Sequence, residues 1–133
     1  MNELNNNFLL FKSDGLFFLL PLNAVERVMD ADKPEELAAV ECRVLLGKSD
    51  SLKAYRYRLM LHMDLDDKCL LLPAQEVVGL VDIGEEQRFS LPGQLRSNQN
   101  RYLEALAEVE TQEGKRVPAY ILNPACLSAE AWG

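Results

Sequence analysis

The chain has 133 residues, of which 48% are hydrophobic, a content that supports one domain with a substantial core and excludes a disordered tail. Its 21 acidic and 14 basic side chains give a formal net charge of −7. Phosphates and anionic lipid surfaces repel such a charge, which argues against nucleic acid and membranes as partners.

Cysteine usage and the apolar runs point to the cytoplasm. Cys42, Cys69 and Cys126 are widely spaced and form no C-x-x-C pair, which favours buried thiols in a reducing compartment over a disulfide framework or a zinc site. The longest apolar run, residues 16–22, is shorter than the ~20 residues of a membrane-spanning helix and contains Pro21. We therefore expect a soluble, cytoplasmic protein without a cofactor.

The start of the chain predicts a β-hairpin. Two β-rich runs at residues 8–12 and 16–20 flank Asp14-Gly15, a pair that supplies the positive φ of a tight turn. Pro21 is expected to end the second strand. Apolar residues then recur at helical spacing and predict two turns of helix: Leu22, Val25, Val28 and Met29.

Three segments in the middle of the chain predict strands. They are "AAVECRVLLG" at residues 38–47, "AYRYRLMLHM" at 54–63 and "CLLLP" at 69–73. The second of these alternates strictly between apolar and polar side chains, as a half-buried strand does. It turns at "DLDDK" into the third segment, which repeats the opening hairpin.

The last third of the chain predicts a loop and a closing hairpin. Residues 84–100 are polar and are interpreted as a long surface connection. Residues 103–109 and "KRVPAYIL" flank a turn at Glu113-Gly114 and are interpreted as two strands. Pro118 is expected to place the last strand at a sheet edge or at a non-bonding position.

An internal repeat links these elements. "FFLLPLNAVERVMD" at residues 17–30 aligns without gaps on "CLLLPAQEVVGLVD" at 69–82, at a constant offset of 71 − 19 = 52 residues. One copy of a few short strands cannot bury its apolar face alone, whereas two packed copies can. The residues therefore predict a mostly antiparallel β protein of two similar halves, with short helices at strand ends.

Three stretches, in the right order, resemble the CheW-like chemotaxis coupling family. "FLLFKSDGLFFLLPLNAVERVMDA" looks like the family's opening hairpin, "LPL" and "V-E-x-V" turn. "DDKCLLLPAQEVVGLVDIGEEQ" is similar to its second-half signature, "V-x-G-V-V-x-I-x-x-E", and "YLEALAEVETQEGKRVPAYILNPACLS" resembles its closing hairpin and short helix. The resemblance covers most of the chain.

The resemblance implies a mainly β fold of two similar, interlocked, small SH3-like β-barrels with short helices. It implies one domain with two intertwined halves, approximately residues 7–50 with the C-terminal segment and residues 54–111. Family members are non-catalytic adaptors that link chemoreceptors, through protein–protein contacts, to the chemotaxis histidine kinase or a related signalling partner. The alternative interpretation is a small β-barrel domain that binds a ligand or a substrate in the cleft between the barrels.

The chain departs from the family pattern in its middle. No "NLRG" motif occurs, and the segment "ADKPEELAAVECRVLLGKSDSLKAY" is shorter than its usual counterpart. The arginine of that motif contributes to partner binding in the family, so its absence puts ordinary coupling in doubt. We expect a reduced first barrel with an open strand edge near residues 38–46, through which a homodimer could form.

The candidate partner-binding residues are Val25, Arg27 and Met29. Val25 and Arg27 match the family's exposed turn, although many members carry an acidic residue where Arg27 stands. Core packing is the alternative for Val25 and for Met29.

No candidate catalytic or metal site emerges from the sequence. His62 is the only histidine and has no partner at a diagnostic spacing. Asp64, Asp66 and Asp67 lack the glycine and the distant glutamate of a calcium loop, and hairpin turns favour aspartate anyway. We therefore expect a protein that is not an enzyme.

Overall fold

Strands in two sheets, with one helix, make up most of the described part of the chain. The computed structural model describes residues 7–13, 15–30, 41–44, 56–61, 68–91, 102–111 and 113–132. The elements are β1 Asn7–Ser13, β2 Leu16–Pro21, β3 Val25–Asp30, β4 Glu41–Val44, β5 Tyr57–Leu61, β6 Lys68–Ala74, β7 Glu76–Asp82, β8 Arg88–Ser90, β9 Leu103–Glu110, β10 Arg116–Leu122 and α1 Pro124–Trp132. The predicted mainly β fold is confirmed.

The strands form one sheet of six and one of four. The six-stranded sheet has the order β7-β1-β2-β10-β9-β8, and the four-stranded sheet has the order β3-β5-β6-β4. Neighbours are antiparallel except β10 with β2 and β4 with β6, which are parallel.

The opening hairpin is confirmed, but the helix predicted after it is wrong. β1 and β2 pair from Phe8↔Pro21 to Ser13↔Leu16, and Gly15 supplies a φ of 84° at the turn. A 3-10 turn at Leu22–Ala24 follows, and the chain then becomes strand β3. Pairing with β5 engages one backbone edge of β3 in a ladder, so tertiary context overrides the helical spacing of its apolar residues.

The polar stretch after β7 also contains regular structure. A 3-10 turn at Glu85–Gln87 leads into β8, which pairs with β9. The interpretation of residues 84–100 as a connection alone was therefore wrong at its start, and residues 92–100 lie outside the described residues.

The closing hairpin of β9 and β10 is confirmed, with Gly114 at a φ of 81°. The backbone N–H of Thr111 donates to the carbonyl of Lys115 (2.8 Å). Bonded and non-bonded pairs alternate along an antiparallel ladder, so the pair Pro118↔Glu108 is non-bonded. β10 lies between β2 and β9, so Pro118 occupies a non-bonding position in a central strand, not a sheet edge.

The sequence repeat is a repeat of strands. β2 and β3 correspond to β6 and β7 at the offset of 52, and Pro21 and Pro73 lie opposite Phe8 and Arg58 in the two hairpins. Each third strand carries a bulge at the same place: the register skips Glu26 in β3 and Val78 in β7, and 78 − 26 = 52.

The two copies exchange their third strands. β3 leaves the first hairpin and pairs with β5 of the second, while β7 leaves the second hairpin and pairs with β1 of the first. Parallel strands then extend both hairpins at equivalent places, since Phe17 of β2 pairs with Ala119 and Cys69 of β6 pairs with Cys42. Each sheet is therefore completed by strands from the other part of the chain.

One hydrophobic cluster, the central core, joins the two hairpins. Leu9, Phe11, Phe18 and Leu20 of the first hairpin correspond to Leu59, Leu61, Leu70 and Leu72 of the second, and all eight are buried together with Ala74, Leu122 and Leu127. A second core lies within the six-stranded sheet: Phe8, Leu10, Leu19, Ile83, Ala107, Val109, Ala119 and Ile121.

Hydrogen bonds fix the connections around these cores. The backbone N–H of Gln75, between β6 and β7, donates to the Lys12 carbonyl (2.8 Å), and its Oε1 accepts from the backbone N–H of Gly15 (3.0 Å). At the start of α1, Oδ1 of Asn123 accepts from the backbone N–H of Cys126 (3.2 Å), which caps the helix and seats Leu127 in the central core.

The shared core predicts that the two sheets unfold together. Leu20→Ala and Leu72→Ala each remove a fully buried side chain from equivalent places, so each should lower the free energy of unfolding by ~2–5 kcal/mol. Urea unfolding followed by far-ultraviolet circular dichroism and by tyrosine fluorescence should give one coincident transition for each variant. Leu80→Ala, at a side chain 63% exposed, is the control and should change stability little. Two separate transitions would contradict the shared core.

The smaller sheet predicts self-association. In the six-stranded sheet, the parallel strand β10 is followed by β9 and β8. In the four-stranded sheet, no described strand follows the parallel strand β4, so the sheet ends there. Part of the predicted open edge, residues 38–40 and 45–46, lies outside the described residues. An unpaired edge offers its backbone to a second strand, so sedimentation equilibrium should detect a monomer–dimer exchange as concentration rises. A single monomeric species at high concentration would contradict this prediction.

Candidate functional site at the edge of the four-stranded sheet

The three predicted contact residues lie on β3, at an edge of the four-stranded sheet. Pro21, with φ −53° and ψ 132°, turns the chain out of the first hairpin, and the 3-10 turn delivers it to the second. β3 then pairs on one side with β5, from Val25↔Leu61 to Asp30↔Tyr57. Among the described strands its other side faces no neighbour.

The structure gives the three candidates different environments. Val25 is half-buried and packs against the central core, while its role as a partner contact stays a prediction. Arg27 is exposed, directly after the bulge at Glu26. Met29 is buried, with 7% of its surface exposed, so little of its side chain is accessible to a partner.

Val28 is an exposed apolar side chain on β3 that the sequence interpretation did not include among the candidates. Its side chain is 43% exposed, between the charged and exposed Arg27 and the buried Met29. Exposed Glu26 and Asp30 lie on the same strand. An apolar side chain surrounded by charged ones is the arrangement that protein interfaces use, with a dry centre and a polar rim.

The repeat creates a second edge of the same kind on β7. Leu80 corresponds to Val28, since 28 + 52 = 80, and is 63% exposed. Val77 corresponds to Val25 and also packs against the central core. The alignment of the two copies contained this signal, because an apolar residue follows the half-buried valine by three positions in both.

The described residues provide no metal-binding constellation. Within the described ranges, no group of three or more His, Cys, Asp or Glu side chains is arranged so that it could hold a metal ion. His62 and the aspartates at 64, 66 and 67 lie outside those ranges. No helix in the described part of the chain is long and apolar enough to cross a membrane.

A groove of about 460 Å³ occurs elsewhere, on the six-stranded sheet. It is lined by the end of β7, the turn before β8, and parts of β8, β9 and β10. Since every lining residue belongs to that one sheet or its turn, the groove is not a cleft between the two sheets. The alternative function, ligand binding between two barrels, gains no support from it.

Comparison with known proteins gives a likeness in fold. No family model and no curated protein matches the chain. Among solved structures, the scaffolding protein TtCheW from Thermoanaerobacter tengcongensis is similar, with a TM-score of 0.59 and 13% sequence identity over 92% of this chain and 86% of that chain. The chain therefore has a CheW-like fold, as its sequence motifs implied.

The placement of Val28 and Met29 predicts unequal losses of stability for substitutions at these adjacent positions. Met29→Ala should lower the free energy of unfolding by ~2 kcal/mol or more, because a buried side chain leaves a cavity. Val28→Ala should change it by about 0.5 kcal/mol or less, because its side chain is largely in water. Urea denaturation of both variants measures the difference. Equal losses would contradict the assigned exposure of β3.

Proposed function

We propose that this chain is a divergent, non-catalytic signalling scaffold of the CheW type in a bacterial cytoplasm. It links a chemotaxis-type histidine kinase to a receptor, or to another signalling protein, through protein–protein contacts. The observation that carries the proposal is the likeness in fold to a scaffolding protein over 92% of the chain. The ordered sequence motifs, which were found independently of that likeness, add support.

The proposed contact surface is the outer side of β3. Val28 forms its exposed apolar centre, and half-buried Val25 lies on the same face of the strand. Met29 is buried and faces the other side. Arg27 belongs to the charged rim. Burial of the centre would provide affinity, while the rim would set the association rate and select the partner.

The departures from the family pattern limit which partners fit. The missing "NLRG" segment removes an arginine that contacts partners in family members, so the proposed scaffold binds with a reduced set of contacts. We propose one domain of two intertwined halves, approximately residues 7–50 with the C-terminal segment and 54–111. The exchange of β3 and β7 between hairpins supports intertwining.

Charge at the centre of β3 should weaken binding of a chemotaxis-type histidine kinase. Val28→Asp places a carboxylate where a partner would exclude water, so affinity should fall by ~2 kcal/mol or more. Val25→Asp should act in the same direction but also lower stability, because Val25 packs on the central core. Isothermal titration with the regulatory domain of a candidate kinase measures affinity, and thermal melting of each variant controls for folding.

Leu80→Asp is the matched control, since it places the same charge at the equivalent position of β7. A kinase held at β3 should bind this variant as it binds the parent. If Val28→Asp melts like the parent and binds the kinase unchanged, β3 is not the contact surface.

Reversal of the rim charge should chiefly alter the kinetics. Arg27→Glu at an exposed position should change the association rate and its dependence on salt, with little effect on dissociation. Surface plasmon resonance at low and physiological ionic strength separates the two rates. A variant that changes only the dissociation rate would place Arg27 inside the interface.

A further inference from the structure

The groove on the six-stranded sheet lies where that sheet leaves a strand position open. β9 runs from Leu103 to Glu110, but its pairing with β8 reaches only Arg88↔Ala107. The outer backbone edge of β9 at residues 108–110 therefore pairs with no strand among the described residues. Across the groove lie Val81 and Asp82, at the end of β7, which pairs on its other side with β1.

Contacts of Arg88 hold the groove in shape. Its Nη2 donates to the carbonyl of Ile83, just after β7 (3.2 Å), and its guanidinium lies 5.1 Å from the centre of the Phe8 ring on β1. Arg88 thus ties one end of the sheet order to the other, while the two end strands, β7 and β8, are not paired in the described residues. The sheet is therefore curved, so that β7 and β8 come near each other without pairing in the described residues.

The lining combines an apolar floor with acidic walls. Ile83 and Val109 are buried at 3% and 4% exposure, whereas Phe89 projects from β8 with 57% of its surface exposed. Four carboxylates line the same groove: Asp82, Glu86, Glu108 and Glu110. Among the described lining residues the cation is Arg116, which pairs with Glu108 at 3.5 Å.

We propose that this groove docks an extended, basic segment of a partner protein, in which apolar and basic residues alternate. The segment would add a strand to the free backbone edge of β9 at residues 108–110. Alternate side chains of a strand point to opposite faces. One set would therefore pack on the apolar floor of Ile83 and Val109. The other set would meet the carboxylates of Glu108 and Glu110 on the opposite face, which Phe89 shares because it pairs with Leu106.

Charge complementarity selects this occupant. The carboxylates outnumber the cation in the lining, so a segment rich in Lys or Arg gains favourable contacts that an acidic one loses. A second copy of this chain, with a net charge of −7, is a poor complement. The groove belongs to the larger sheet and uses none of the β3 residues, so the inference does not depend on the proposed kinase contact.

The test measures peptide binding to the full chain by fluorescence anisotropy. The probe is a labelled short peptide of alternating lysine and valine, and a peptide with glutamate in place of lysine is the comparison. We expect the basic peptide to bind, the acidic one to fail, and binding to weaken with salt. N-methylation of one alternate set of amides, all valines or all lysines, should reduce affinity at least about tenfold, whereas methylation of the other set should change it little, because strand addition needs the amides on one side only.

Two variants and a control separate the groove from general attraction to an acidic protein. Glu110→Lys in the groove should reduce affinity at least about tenfold, and Phe89→Ser should also weaken binding, because an apolar contact is lost. Glu76→Lys makes the same charge change at an exposed position of β7 outside the groove, and should change affinity little.

Three results would overturn the proposal. These are no binding of the basic peptide at millimolar concentration, equal losses for Glu110→Lys and Glu76→Lys, and a dimer of the chain that Glu110→Lys dissociates in sedimentation. The last result would assign the groove to a second copy. None of these three results depends on whether Val28→Asp weakens kinase binding, so the groove proposal and the kinase proposal can be refuted independently.

Discussion

The reciprocal exchange of β3 and β7 is the constraint on which the rest of the structure depends. Each hairpin obtains its third strand from the other copy, so neither sheet is complete without the other part of the chain. The exchange brings equivalent leucines and phenylalanines of both hairpins into one central core. It also leaves β3 and β7 at sheet edges, where Val28 and Leu80 remain in water. Stability and the candidate contact surfaces thus have the same origin.

The local signals for strands and turns could be interpreted from the sequence, and the exchange could not. Gly15 and Gly114 marked two hairpin turns because their positive φ suits glycine. β3 was misinterpreted for an identifiable reason. The bulge at Glu26 interrupts the two-residue period of the strand, so Val25, Val28 and Met29 kept a spacing that also fits a helix. Only the pairing with β5, which is remote in sequence, decides between the two.

The candidate sites show the same limit of local inference. Val28 was recoverable from the repeat, because its counterpart Leu80 is apolar at the same offset. The acidic groove was not, because Asp82, Phe89 and Glu110 become neighbours only through the order of the six-stranded sheet. That order depends on the parallel pairing of β10 with β2, for which the sequence offers no periodic signal. Surfaces made within a repeat can be predicted from it, and surfaces made between distant strands cannot.

The parallel pairing of β2 with β10 also governs when the protein can fold during its synthesis. Phe17 pairs with Ala119, so 119 − 17 = 102 residues must be added after Phe17 before its neighbour exists. At typical rates of about 5–20 residues per second, the ribosome needs roughly 5–20 s for that stretch. Throughout this interval the apolar residues of β2 exist without the strand that flanks them. The β2 edge of the nascent chain therefore stays open to misplaced pairing until β10 has been synthesised.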